Sequence, residues 1–134
     1  MFRIPSLAAL LFACQALVPV MVPAVVPVMA GDLADHWTLT RIDGFPVTFT
    51  ATLDLSQPGK LTGQAPCNSY GGTLSAEGQK FIPGPILSTK MACDELADEN
   101  LYLQALQMTE SAVVAGDLLT LTGEQVLVFT RKLD

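Results

Sequence analysis

The segment PVTFTATLDL, residues 46–55, sets Val47, Phe49, Ala51, Leu53 and Leu55 in alternation with Thr48, Thr50, Thr52 and Asp54. A period of two sends successive side chains to opposite faces, so this stretch predicts a half-buried β-strand. Trp37, Leu39 and Ile42 mark an earlier strand that ends at Asp43-Gly44, a pair that accepts positive φ in a tight turn. After the turn SQPGK come a strand in KLTGQA and another short one around Leu74, closed by AEGQ. KFIPGPILSTK carries two prolines, and neither has the N–H that a central ladder position requires. It predicts an edge strand or an irregular crossing.

The periodicity changes after Cys93. DELADENLYLQALQMTE lacks Gly and Pro and is rich in Leu, Ala, Glu and Gln. A helix is expected over about 94 to 110, with Asp94 and Glu95 at the positive end of its dipole. Helical spacing puts Leu96, Leu103 and Leu106 on one side, Tyr102 at its margin, and Leu101, Ala105 and Met108 opposite. Apolar on two sides, such a helix is expected to be sandwiched, in or across a barrel. LLTLT, the turn Gly123-Glu124 and QVLVFTR then read as a C-terminal hairpin. The order of elements predicts a β-rich α+β domain, a small antiparallel partly open β-barrel or curved sheet with one α-helix.

The first thirty residues follow neither pattern. MFRIPSLAALLFACQALVPVMVPAVVPVMA carries one charge, Arg3, and gives way at once to GDLADHW. A short basic start, an apolar run, and Val28 and Ala30 ahead of Gly31 outline a signal peptide cleaved from an exported protein. The run is also long enough for a retained membrane anchor, although prolines at 19, 23 and 27 interrupt helix hydrogen bonding. Lipidation of Cys14 is a third route, and membrane association follows only from these last two. The division is residues 1–30 as leader and 31–134 as one domain, with a periplasmic or secreted location expected. Setting the leader aside leaves six basic against thirteen acidic side chains, a net charge of −7. With its basic residues scattered apart from Arg131-Lys132, the domain is a poor partner for nucleic acid.

With Cys14 in the leader, Cys67 and Cys93 form an even pair in a chain bound for an oxidising compartment. A disulfide is the expectation and two buried thiols the alternative. Cys67 sits in GQAPCNSYGG, residues 63–72, a stretch dense enough to be a catalytic loop or a stapled turn. Catalysis by Cys67 needs a base to generate thiolate, and His36, near the start of the domain, is the only histidine. Zinc held by His36, Cys67, Cys93 and a carboxylate lacks the close-spaced ligand pairs of structural sites. Ser69 has no nucleophile-elbow context, and the glycines do not lie between a strand and a helix as a phosphate cradle demands. Asp94-Glu95 and Asp98-Glu99 read as a solvated helix face. The structural reading accounts for more of the stretch: Asn68 bonds local backbone, Gly71-Gly72 allow a bend or bulge, and Tyr70 brings apolar area with one hydroxyl. Neither a metal nor another cofactor is expected.

Four fragments in register carry a resemblance: Trp37, Leu39, Ile42 and Gly44; then Gly63, Cys67, Asn68, Tyr70 and Gly72; then Thr89, Met91, Ala92 and Cys93; finally Leu127, Phe129 and Arg131. In this order the chain resembles the META domain, or HslJ-like, family of small bacterial envelope proteins. Pro66 departs from the glycine the family often has before the Cys-Asn pair. The resemblance implies a compact β-rich fold with one helix, export, no established enzymatic activity, and for some members a tie to envelope stress or drug tolerance. The expected function is therefore non-catalytic, through binding of an envelope protein or a small apolar ligand on a concave face. A thiol-active or hydrolytic enzyme using Cys67, and a secreted enzyme inhibitor, are the alternatives.

Overall fold

The computed structural model describes residues 33–132, so the leader readings, including Cys14, lie outside the described residues. Among the described residues ten strands and the helix α1 follow in order: β1 (His36–Ile42), β2 (Phe45–Pro46), β3 (Thr52–Asp54), β4 (Lys60–Gln64), β5 (Ser69–Glu77), β6 (Lys80–Pro83), β7 (Leu87–Ser88), α1 (Leu96–Gln107), β8 (Thr109–Ala115), β9 (Leu118–Gly123) and β10 (Val126–Arg131). Eight of them form an antiparallel ring in the order β1, β3, β4, β5, β6, β8, β9, β10, and β10 returns to β1. The barrel is closed. Its thin seams are β3 against β4, paired at Asp54 and Thr62, and β6 against β8, paired at Lys80 and Ser111. β2 and β7 are short additions on β1 and β5.

The closing seam brings the first and last sequence fragments together. Trp37 pairs with Arg131 and Leu39 with Phe129, and the register then slips so that Arg41 faces Val128. Thr40 is the extra residue of this bulge, and its hydroxyl donates to the Val128 carbonyl at 3.0 Å. The bulge explains why the inward positions run Trp37, Leu39, Ile42 and not by strict twos. Arg131 lies 4.7 Å from the Trp37 ring centre and its guanidinium is hydrogen-bonded to Asp35, so one side chain fastens this end of the seam. A second bulge, at Glu110, marks the start of β8, a strand absent from the sequence reading.

PVTFTATLDL keeps its alternation but not its ladder. Ala51, Leu53 and Leu55 are buried, yet only Thr52–Asp54 is a strand. Residues 47–51 instead hang on single bonds to β1, Val47 N–H to the Thr40 carbonyl and Leu39 N–H to the Ala51 carbonyl. The bulge at Thr40 turns the ladder partner away, so burial pattern and pairing separate here.

β1, β4, β6, β9 run toward one end of the barrel and β3, β5, β8, β10 away from it, so the start of β1 and the end of β10 lie at one end and the segment 84–108 at the other. α1 seats over that second end. It is shorter than expected, with Asp98 and Glu99 in its first turn and the Thr109 hydroxyl donating to the Leu106 carbonyl at 2.7 Å where it stops. One face, Glu99, Tyr102, Ala105 and Leu106, is buried. Tyr102 meets Phe129 edge-on inside the barrel, ring centres 6.4 Å apart. The sandwiched helix of the sequence reading is thus corrected: Leu101 and Met108 face outward, because a helix lying across the mouth of a closed barrel has only one face against it.

Candidate functional site

At the helix-capped end, the second and third sequence fragments converge on Asn68. Its side-chain oxygen accepts the Met91 N–H at 2.7 Å and the Thr89 hydroxyl at 2.9 Å. Its amide nitrogen donates to the Met91 carbonyl at 2.9 Å and to Glu99 Oε2 at 2.6 Å. Every hydrogen-bonding position of the Asn68 carboxamide is therefore used, in a residue that is buried. Glu99 Oε1 accepts the backbone N–H groups of Cys67 and Asn68, at 3.0 and 2.8 Å. The turn before β5 thus hands its free N–H groups to a carboxylate on α1.

The sulfur atoms of Cys67 and Cys93 are bonded, with Cα atoms 5.7 Å apart, inside the usual span for a disulfide. Cys67 is on the turn and Cys93 precedes α1, so the covalent tie runs parallel to the Glu99 hydrogen bonds. While this bond holds, neither sulfur is available as a thiolate nucleophile or a zinc ligand. The imidazole of His36 faces Asp54, with Nδ1 3.5 Å from Oδ2.

Tyr70 and Gly63 face each other across β4 and β5. The Tyr70 hydroxyl donates to the Thr52 carbonyl and accepts from the Tyr102 hydroxyl at 2.6 Å. A methyl group on Gly63 would run into the Thr52 carbonyl oxygen and the Tyr70 ring, so this glycine is the gap through which the hydroxyl reaches β3. Gly71 and Gly72 are regular members of β5 and form no bulge, a correction to the sequence reading. Gly72 instead lets the Pro85 carbonyl approach, where a Cβ would lie 2.8 Å from its oxygen. Burial pushes the phenol pKa of both tyrosines up, and the neighbouring Tyr102 adds to the effect at Tyr70.

Of the residues singled out from sequence, Cys67, Cys93, Asn68, Thr89 and Met91 meet at one corner, and Gly63, Tyr70 and Gly72 line the β-sheet beside it. The reading of Asp98-Glu99 as a solvated pair is corrected at Glu99, which is 2 % exposed. Its spacing to Tyr102 and Leu106, three and then four residues, is the available signal that it belongs to the inward face. Gln107 carries no such signal in the sequence: its side chain accepts the Ile86 N–H and donates to the Gly84 carbonyl, both at 2.8 Å, holding the proline-rich crossing to α1.

A cleft of about 340 Å³ opens on the outer side of α1. Leu101 forms one wall, and β2 with the irregular segment after it supplies Phe45, Val47 and Phe49 as the other, with Asp43 and Asp98 among its lining groups. Phe45 is 75 % exposed and Leu101 45 %. A smaller hollow of about 210 Å³ lies over Asn68 and Glu99, and an apolar one of about 370 Å³ lies at the opposite end beside Leu33, Leu55 and Leu74.

The described residues form a closed eight-stranded barrel, capped by α1 and tied there by a disulfide and a buried Asn-Glu pair, which defines a small β-barrel domain. The family model of the META domain matches residues 31–134, and the chain belongs to that family. The fold is shared with solved structures. A protein from Burkholderia xenovorans solved by NMR is 24% identical with a TM-score of 0.64, over 78% of this chain and 88% of that one. A second protein solved by NMR is 18% identical with a TM-score of 0.62, over 78% and 95%. The crystal structure of a DUF4847 family protein from Bacteroides vulgatus is 16% identical with a TM-score of 0.55, over 75% and 95%. No curated protein matches the chain's sequence.

Proposed function

We propose that this chain is a non-catalytic, exported META-domain protein of the bacterial envelope that binds a small apolar ligand in the cleft beside α1. The cleft carries the reading. At about 340 Å³ it has the size of a small-ligand site, and it combines apolar walls with a few polar groups able to orient a guest. The apolar leader with small residues at its end supports export, and the Cys67–Cys93 bond suits an oxidising compartment. A part in envelope stress tolerance would follow from sequestering or sensing such a ligand.

The experiment is thermal unfolding of the exported protein with and without small apolar probes, repeated on Leu101→Gln and Phe45→Ser. Binding in the cleft raises the melting temperature of the parent and not of the variants. Equal shifts in all three would place the ligand elsewhere, and none in the parent would end the proposal. Fractionation of cells expressing the full chain tests export independently: the processed protein is expected in the periplasmic or secreted fraction.

A further inference from the structure

We infer that the ligand of the α1 cleft is an organic cation, an apolar body carrying an ammonium or comparable positive group. This rests on the reading of the cleft as a binding site and adds the charge of its occupant. Two carboxylates, Asp43 and Asp98, and two phenylalanines, Phe45 and Phe49, line the same cleft, and none of its lining residues is basic. The ion pairs formed among the described residues involve Asp35, Asp54 and Asp117, so Asp43 and Asp98 are not engaged in them. Arg41, the closest basic residue in sequence to Asp43, donates to the Gly44 carbonyl at 3.0 Å and is not among the residues lining the cleft.

Asp43 is held in place. Its Oδ1 accepts the Val126 N–H at 2.8 Å, its own N–H returns a bond to the Val126 carbonyl at 2.8 Å, and its φ of 51° sets the turn between β1 and β2. Asp98 comes from the opposite wall, in the first turn of α1, where the helix dipole favours its negative charge. A cation between these walls faces carboxylates on both sides. The aromatic faces add to this, since the ring quadrupole attracts positive charge and recognition of ammonium groups characteristically uses such rings. A neutral guest would gain only the apolar contact, and an anion would meet two like charges.

Matched eight-carbon probes separate these cases: octylammonium, octyltrimethylammonium, octanol and octanoate, titrated calorimetrically into the exported protein at low salt. Both cations are expected to bind about 3- to 10-fold more tightly than octanol, as two exposed charge pairs allow, with octanoate weakest. Added salt shrinks the difference. In Asp43→Asn with Asp98→Asn the cations no longer bind more tightly than octanol; asparagine tolerates the positive φ at 43 and retains an acceptor for Val126. Octanol binding as well as the cations overturns the charge inference and leaves the cleft reading standing. A preference that survives in the double variant also overturns it. No binding by any of the four overturns both readings and leaves that face to a protein partner.

Discussion

Asn68 and Glu99, thirty-one residues apart, share a 2.6 Å hydrogen bond that joins the turn before β5 to the helix capping the barrel. The carboxylate is also the acceptor for two backbone N–H groups of the turn, so it completes a corner that would otherwise hold unpaired buried donors. Glu99→Gln turns an NH₂ group toward the Asn68 amide or toward the two N–H groups, and either orientation sets donor against donor. The expected cost is about 1 to 3 kcal/mol in chemical denaturation. Asn68→Ala strands groups of Met91 and Thr89 as well and is expected to cost more. A double-mutant cycle on the pair should return a coupling of about 1 kcal/mol or larger. Simple additivity would show that the two residues act independently.

Gly63 admits no side chain, because two neighbours occupy its Cβ position: the Thr52 carbonyl oxygen and the Tyr70 ring. Gly63→Ala is expected to destabilise the domain by about 3 kcal/mol or more, at the upper end for single substitutions. Tyr70→Phe removes the hydroxyl but leaves both the ring and the backbone carbonyl in the way. The combined variant therefore should not regain parental stability, and recovery of the full melting temperature by Tyr70→Phe would refute the close approach of β3.

The Cys67–Cys93 bond closes a loop whose ends are 26 residues apart, and the chain-entropy argument values it at roughly 3 to 4 kcal/mol. The Cys67→Ser, Cys93→Ser variant is expected to lose that amount while Asn68 and Glu99 still hold the corner, so the fold survives at reduced stability. Thiol titration of the exported parent under denaturing conditions without reductant should find neither Cys67 nor Cys93. Detection of either thiol would remove the bond from the native protein.

The fold was legible in the sequence wherever burial and pairing follow the same period. β4, β9 and β10 are of this kind, and the staple was legible because the leader claims the odd cysteine. Bulges broke the correspondence. Thr40 shifts the inward positions of β1, and the segment before Thr52 alternates in burial while making only isolated bonds to β1 and no continuous ladder. Glu99 was hidden for a different reason. Two of its donors are backbone N–H groups of the Cys67-Asn68 turn, and no residue type advertises an unpaired N–H. A carboxylate on a helix reads as solvated until the turn that needs it is in view. The cleft was anticipated only in outline: an apolar excess on α1 was visible, but its facing wall is an irregular segment that the alternation assigned to a strand.

Tyr70 and Tyr102 are the only tyrosines in the chain, and both hydroxyls are buried in one chain of bonds ending on the Thr52 carbonyl. Burial holds both phenols above their ordinary pKa of 10.0. In the unfolded chain they ionise near that ordinary value, so above about pH 10 the unfolded state releases protons that the native state retains. The stability tied to the neutral pair is fully present below that pH and is lost as pH rises toward the native values. Difference absorbance of phenolate should stay silent through pH 10 while circular dichroism is native, then rise in one step with unfolding. Tyr102→Phe removes one titrating group and the donor to Tyr70, and should lower neutral-pH stability by about 1 kcal/mol while halving the absorbance step. Reversible phenolate formation in a still-folded protein near pH 10 would mean that the two hydroxyls are not sealed between the helix and the barrel.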